Sequence, residues 1–167
     1  CIGCFACRTA CQVQNNLLPS EAFIRFEQHE SGTYPAARLA TVPLQCMQCS
    51  DAPCVQVCPT GASHRTEDGI VTVDHGRCIG CKYCMAACPY QVRTQNEETG
   101  VVDKCRLCTA SAQEGTAMSS CVEVCPVKAR IFGDLDNPES ELSKAIVERN
   151  AMPLASDLTQ ANVWYVR

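Results

Sequence analysis

The chain has 167 residues, sixteen of them cysteine, with a formal net charge of −4 and only 5% aromatic residues. That length suits one or two small domains and excludes a large enzyme with its own substrate cleft. The acidic balance argues against nucleic acid as a partner, and no apolar run is long enough to span a bilayer. The cysteine content leaves three classes: a disulfide scaffold, zinc ribbons or an iron–sulfur protein.

The cysteines fall into four groups with closely related spacing. The first and third groups, at 1–11 and 78–88, both read C-x2-C-x2-C-x3-C. The second group, at 46–58, has spacings of x2, x4 and x3, and the fourth, at 105–125, has x2, x12 and x3. Proline follows the last cysteine of every group except the first, where Gln12 stands instead. The four groups therefore represent one element repeated with a variable middle.

This spacing favours iron–sulfur clusters over the two other classes. C-x2-C-x2-C-x3-C-P is the bacterial ferredoxin run for a [4Fe–4S] cluster, with the fourth thiolate on the neighbouring cluster. Zinc takes four ligands at each site and has no use for a third cysteine followed by Cys-Pro. A disulfide framework needs no fixed spacing. A multi-zinc structural module stays a remote alternative, which colourless protein with stoichiometric zinc would support.

The x3 step also predicts how the groups combine. Each group gives three thiolates to one cluster and its fourth to a partner, so the adjacent second and third groups should pair, and the first with the fourth. The predicted fold class is α+β, with two nested bacterial ferredoxin-like lobes that each bind two [4Fe–4S] clusters. One lobe comprises 1–43 with 89–130, and the other comprises 44–88. We interpret 131–167 as a C-terminal arm that docks onto a partner.

The segments up to the third group carry local structural signals. A helix is predicted to continue from the first group through Gln14. We interpret 15–43 as a surface excursion that contains one short strand, Ala22–Glu27. An Asp-Gly pair between two apolar-rich runs predicts a hairpin of Ser63–Arg65 with Ile70–Val73.

Further signals follow the third group. A second hairpin is predicted from Gln91–Arg93 and Val101–Asp103, and the small polar insert Thr109–Ser120 is predicted to be a surface loop. The C-terminal signals predict a strand, a helix and a final apolar strand: Ala129–Phe132, a helix with Asn137 as N-cap that ends near Arg149, and Val163–Val166.

Few other residues indicate chemistry. Cations stand beside the cysteine groups at Arg8, Lys82, Lys104, Arg106 and Lys128. They are equally consistent with solvated surface charge and with charges that offset the clusters and raise their reduction potentials. The histidines lie in no cysteine group and receive no role: His29, His64 and His75. No phosphate loop, nucleophile elbow or acid–base pair is present, so no catalytic residue is predicted.

Four groups in this order, with x4 in the second and x12 in the fourth, resemble the iron–sulfur subunit of the DMSO reductase family of molybdenum oxidoreductases. The likeness covers essentially the whole chain. Three stretches are similar to the polysulfide, thiosulfate, tetrathionate or arsenate reductase branch of that family: CMQCSDAPCVQVCPTGAS, GRCIGCKYCMAACPY and CVEVCPVKARIFGDLDNPES.

The resemblance implies an electron-transfer subunit with no substrate of its own. Such a subunit relays single electrons between a molybdopterin catalytic subunit and a quinone- or quinol-reactive membrane subunit. It implies a position on the periplasmic face of the cytoplasmic membrane, held there by partner subunits, with the cytoplasmic face as the alternative. A free-standing polyferredoxin that serves several enzymes is the alternative function, and a free 18 kDa species on size-exclusion would support it.

The resemblance also assigns the sixteen cysteines to four [4Fe–4S] clusters. The ligand sets are Cys1, Cys4, Cys7 and Cys125 for cluster 1; Cys11, Cys105, Cys108 and Cys121 for cluster 2; Cys46, Cys49, Cys54 and Cys88 for cluster 3; and Cys58, Cys78, Cys81 and Cys84 for cluster 4. Cluster 1 would face the catalytic subunit and cluster 4 the membrane. Nitrate reductase relatives carry tryptophan in place of Cys81 and hold a [3Fe–4S] centre, so cysteine there predicts a four-iron centre.

Overall fold

The computed structural model describes residues 1–108, 119–154 and 156–166. The helices are α1 (Ala6–Gln14), α2 (Pro53–Gln56), α3 (Tyr83–Ala86), α4 (Ser120–Glu123), α5 (Glu141–Glu148) and α6 (Ser156–Thr159). The strands are β1 (Arg25–Ser31), β2 (Arg38–Leu44), β3 (Ser63–Arg65), β4 (Val71–Val73), β5 (Thr94–Gln95), β6 (Val102–Asp103), β7 (Met152–Pro153) and β8 (Trp164–Tyr165). None of these helices has the length and apolar character needed to cross a membrane.

Each described strand pairs with its neighbour in sequence, which gives four two-stranded antiparallel sheets. β1 and β2 form the longest ladder, from Arg25 opposite Leu44 to Ser31 opposite Arg38. The other three hairpins have only two or three residue pairs each. Isolated hairpins of this length are marginal in water, so their stability must come from what they pack against. The mixture of short helices and antiparallel hairpins agrees with the predicted α+β class.

The four cysteine groups share one backbone turn. The residue before the second cysteine of each group has a positive φ: Gly3 (66°), Gln48 (48°), Gly80 (67°) and Leu107 (56°). This left-handed region favours glycine, yet two of the groups adopt it with a side chain. The repeat read from the cysteine spacing is thus present in the backbone as well.

A second shared turn closes the three groups that end in Cys-Pro. Its last residue again has a positive φ and donates its N–H to the carbonyl of the fourth cysteine: Gly61 (3.3 Å), Gln91 (3.1 Å) and Lys128 (3.1 Å). Because this turn occupies the residues after the proline, the predicted strand at Gln91–Arg93 is wrong and that hairpin begins at Thr94. The predicted strand at Ala129–Phe132 is also wrong, since those residues form no ladder.

The N-terminal region contains a buried cluster that the sequence did not predict. The helix through Gln14 is confirmed as α1, which packs against α4. Phe23 and Ile24 are almost fully buried and pack against Cys7 and Cys11. The interpretation of this segment as a surface excursion is therefore wrong, and its strand begins at Arg25 rather than Ala22 because the preceding apolar pair is in the core.

The larger buried cluster surrounds the second and third groups. The predicted Asp-Gly hairpin is confirmed as β3 and β4, with Ser63 opposite Val73. α2 packs against α3, and Val71 is among the most buried side chains of this cluster.

The C-terminal segment closes back onto this larger cluster. Trp164–Tyr165 pairs with Met152–Pro153, so the predicted final strand is confirmed in its central residues. The Tyr165 hydroxyl donates to the Pro43 carbonyl at 3.0 Å, and Val163 packs against the larger cluster. One face of this segment therefore completes the protein's own core.

The C-terminal helix begins three residues later than predicted. Ser140 is the N-cap, and its hydroxyl accepts the Ser143 N–H at 3.1 Å. The Asn137 side chain instead accepts the Glu139 N–H at 2.9 Å in a local turn, which explains the difference. Most of the predicted loop Thr109–Ser120 lies outside the described residues, and its last residue is the first of α4.

Candidate iron–sulfur sites

A large cavity lies between the first and fourth cysteine groups. Its volume is about 400 Å³, and its lining combines residues of β2, α5 and the C-terminal strand with five cysteines: Cys1, Cys11, Cys105, Cys108 and Cys121. α1 carries Cys11 and α4 carries Cys121, so the packing of the two helices brings both groups to one space. A set of four thiolates around such a volume fits an iron–sulfur cluster.

A smaller cavity holds the rest of these two groups. It has a volume of about 20 Å³, and its lining includes Cys1, Cys4, Cys7 and Cys125. Phe5 and Phe26, whose rings meet edge to face at 4.4 Å between centroids, line its apolar side. The predicted ligand sets of clusters 1 and 2 therefore each line one cavity.

Six of the eight cysteines of the second and third groups belong to the larger buried cluster or pack against it: Cys46, Cys49, Cys54, Cys78, Cys84 and Cys88. Burial raises the pKa of the Cys49 thiol, and the neighbouring Cys46, Cys54 and Cys88 thiols raise it further. Burial also raises the pKa of the Cys84 thiol, with smaller contributions from Cys54 and Cys58. Thiols from both groups thus lie within electrostatic range of one another: Cys49 interacts with the three other cysteines predicted for cluster 3, and Cys84 interacts with one cysteine of each predicted set.

Two thiols that line the large cavity, Cys11 and Cys105, are difficult to ionise without a metal. Burial raises the pKa of Cys11 to about 12, and the neighbouring Cys105, Cys121 and Cys108 thiols add to the shift. Burial likewise raises the pKa of Cys105 to about 12. The thiolate is the form that binds a metal, so iron must displace these protons, and binding is coupled to proton release.

Hydrogen-bond donors already point at several sulfurs. Ser63 donates its N–H to Cys58 Sγ at 3.3 Å, and Ala129 donates its N–H to Cys125 Sγ at 3.2 Å. Burial raises the pKa of the Cys58 thiol, but hydrogen bonds led by that of Ser63 lower it below its ordinary value. Such bonds to cluster sulfurs are a recognised means of tuning reduction potential, so this geometry also fits a cluster.

Solvent exposure differs among the cysteines. Cys1, Cys4 and Cys81 are exposed, Cys7, Cys11, Cys46, Cys49, Cys54 and Cys84 are buried, and the others are intermediate. Large apolar side chains are exposed beside the first set, at Ile2, and beside Cys81, at Ile79 and Tyr83. Two cysteine sites are therefore exposed and partly apolar.

The structure distinguishes the cations near the cysteines. Lys104 is fully buried, while Lys82 and Lys128 are exposed and Arg106 pairs with Asp103 at 3.0 Å. Two cations missed from sequence are Arg93, which is buried, and Arg130, which lines both cavities. Each stands five residues after the last cysteine of a Cys-Pro group, and that shared register is the signal that could have found them.

The histidines remain without a role at the cysteine groups. His75 Nε2 lies 2.9 Å from Asp103, and His64 Nδ1 lies 3.0 Å from the Ala62 carbonyl. His29 is on the exposed β1–β2 hairpin, 3.6 Å from Glu27.

Family comparison agrees with the geometry. A family model for the 4Fe-4S dicluster domain matches residues 37–135, more than half of the chain. A second family model, also described as a 4Fe-4S dicluster domain, matches residues 1–62. The two matches together include all four cysteine groups.

Curated relatives extend the likeness over most of the sequence. Thiosulfate reductase electron transfer subunit PhsB of Salmonella typhi is 46% identical over 89% of this chain and 78% of its own length. A sulfite dehydrogenase subunit of Allochromatium vinosum is 41% identical over 92% of this chain and 73% of its own length. A polysulfide reductase subunit of Wolinella succinogenes is 39% identical over 89% and 79%, respectively. The protein is therefore a member of the 4Fe-4S dicluster family, and within it of the iron–sulfur electron-transfer subunits of the molybdenum oxidoreductases.

Proposed function

We propose that the protein is a four-centre relay with one exposed centre at each end. The observation that carries this proposal is the exposure of Cys1 and Cys4 at one end and of Cys81 at the other, while no cysteine of the proposed clusters 2 and 3 is exposed. Each [4Fe–4S] cluster accepts and donates one electron, and the protein holds four of them in series. The protein is an electron-transfer subunit and not the catalytic one.

The ligand sets that we propose follow the sequence prediction. Clusters 1 and 2 are supported by the two cavities, whose linings each contain one predicted set of four cysteines. Clusters 3 and 4 are supported by the mutual electrostatic range of Cys49 with Cys46, Cys54 and Cys88, and of Cys84 with Cys58. The packing of α1 on α4 and of α2 on α3 supports the two nested lobes.

We also propose which partner meets each end. The relatives are named as components of a thiosulfate reductase, a sulfite dehydrogenase and a polysulfide reductase. By analogy, a molybdopterin catalytic subunit would dock at the end of cluster 1 and a quinol-reactive membrane subunit at the end of cluster 4. The assembled complex would lie on the periplasmic face of the membrane. Exposed Ile2 at one end and Ile79 with Tyr83 at the other offer apolar surface for these contacts.

Amine-specific cross-linking of the native complex tests this orientation. Lys82 is exposed beside Cys81, and Lys128 is exposed near Cys125, so each marks one end. We expect Lys82 to cross-link to the membrane subunit and Lys128 to the catalytic subunit, as identified by mass spectrometry. Lys144 on α5, whose ammonium pairs with Glu139 at 2.9 Å, is the control for reagent access away from both ends. Cross-links from Lys82 and Lys128 to the same subunit would contradict the proposal.

A further inference from the structure

Lys104 is a fully buried cation at the boundary between the two lobes. Its side chain has 0% exposure, and its Nζ donates to the Val71 carbonyl and, at 2.8 Å, to the Cys105 carbonyl. Gln48 spans the same two residues: its amide donates to the Cys105 carbonyl at 2.9 Å and accepts the Val71 N–H at 2.9 Å. Lys104 therefore lies where the loop of Cys105 meets the loop of the second group, between the proposed clusters 2 and 3.

Arg93 occupies the equivalent position between the proposed clusters 3 and 4. It is only 7% exposed, and its Nη2 donates to Ser63 Oγ at 2.8 Å. Ser63 in turn donates its N–H to Cys58 Sγ. Nη1 of Arg93 is buried with no hydrogen-bond partner among the described residues. The guanidinium lies within electrostatic range of Cys54 on one side and Cys84 on the other.

Arg130 lies between the proposed clusters 1 and 2. It is half-buried and lines both the cavity of Cys11 and the cavity of Cys7. Its Nη2 donates to Gln45 Oε1 at 2.6 Å, and Gln45 directly precedes Cys46. One cation thus stands at each of the three boundaries between consecutive ligand sets.

These three cations have no carboxylate partner among the described residues, in contrast to several cations elsewhere. The ion pairs of the described residues use other cations: Arg25 with Glu27, Arg77 with Asp74, Arg106 with Asp103, and Lys144 with Glu139. A buried charge that is not compensated is strongly unfavourable. Neutral partners such as Ser63, Gln45 and the two carbonyls hydrogen-bond the three cations without neutralising them. The anionic clusters on either side would supply the missing negative charge.

We propose that Arg130, Lys104 and Arg93 each raise the reduction potentials of the two clusters that flank it. This inference rests on the four-cluster ligand assignment proposed above. A positive charge between two centres stabilises the more negative, reduced form of both.

Redox-poised EPR titration of the intact complex tests this proposal. We expect Lys104→Met to shift two of the four midpoint potentials to more negative values and leave the other two at their wild-type values. Arg130→Gln should shift the potentials of clusters 1 and 2, and Arg93→Gln those of clusters 3 and 4. Each of these pairs shares one cluster with the pair shifted by Lys104→Met, clusters 2 and 3. Lys104→Arg, which keeps the charge, should restore the wild-type potentials. Arg38→Gln, at an exposed cation opposite Ser31 at the end of the β1–β2 ladder, is the matched control and should leave all four close to wild type.

Because each variant should shift its own pair of midpoint potentials, the pattern of shifts distinguishes an effect of charge position from a general loss of structure. Unshifted potentials in variants with full iron content would overturn the inference, as would an equal shift of all four centres. If Lys104→Met does not assemble, the half-buried Arg130→Gln decides the matter through its own pair. Fewer than four cluster signals in the wild-type complex would instead refute the proposed function on which the inference rests.

Discussion

Removal of iron is expected to unfold the protein. Apart from the β1–β2 ladder, α1 and α5, the described elements are short, with hairpins of two or three residue pairs and four-residue helices. Cysteines are members of both buried clusters, where Cys7 and Cys11 pack on Phe23 and Cys46 and Cys54 pack in the larger core. Without metal, these positions place thiols where an ordinary core has larger apolar side chains. Thiols stabilise a core less than those side chains do.

Removal of iron is expected to cost the protein its whole free energy of folding. A folded domain of this size has an unfolding free energy of about 5–15 kcal/mol, and the binding energy of a structural metal is folding energy. After oxidative cluster removal and chelation, we expect far-ultraviolet circular dichroism to lose most helical signal and thermal unfolding to lose its cooperative transition. The control is chelator added to protein with intact clusters, which should retain both. A cooperative transition in iron-free protein would show that the polypeptide core suffices by itself.

Replacing Cys81 with serine is expected to damage one end of the relay and nothing else. Cys81 is exposed, so the smaller side chain creates no buried cavity. Serine is a poorer ligand for iron than thiolate, and the proposed cluster 4 should lose one iron or disassemble. We therefore expect about one to four fewer iron atoms in each molecule, and a new [3Fe–4S] EPR signal in the first case.

Activity measurements separate this local effect from a global one. In the Cys81→Ser complex, quinol-dependent turnover should fall, and should be lost if cluster 4 disassembles, while an artificial electron donor that enters at another centre should still reduce the remaining clusters. Arg38→Ser, at an exposed position at the end of the β1–β2 ladder, should keep full iron content and full quinol-dependent turnover. Unchanged iron and turnover in Cys81→Ser would remove Cys81 from the proposed ligands of cluster 4.

Much of the site could be predicted from sequence because cluster ligation imposes local spacing. One loop must surround its cluster with three thiolates, and this requires closely spaced cysteines. In the structure each group has the same positive-φ turn directly before its second cysteine, at Cys4, Cys49, Cys81 and Cys108. The hairpin of β3 and β4 was equally predictable, since its signal lies within its own turn. These features depend on neighbours in sequence, and the structure reproduces them.

The features that were missed depend on contacts between distant residues. Arg93 and Arg130 share a register five residues after a Cys-Pro cysteine, but only their contacts with Ser63 and Gln45 show where each side chain lies. Phe23 and Ile24 were assigned to a surface segment because their burial comes from packing on α1. Ser140 is the N-cap because the Asn137 side chain instead accepts the Glu139 N–H in a local turn. The sequence alone does not distinguish these two alternatives. In each case tertiary contacts decided between alternatives that sequence left equivalent.

Anomalous diffraction at the iron absorption edge tests the central claim most directly, with crystals of the cluster-loaded protein. The account predicts four separate iron peaks arranged in a row. The first should lie beside Cys1 and Cys4, the last beside Cys81, and the two inner peaks beside Cys105 and Cys49. Fewer than four peaks, a signal at the zinc edge instead, or a branched arrangement would contradict the account of this protein as a four-centre relay.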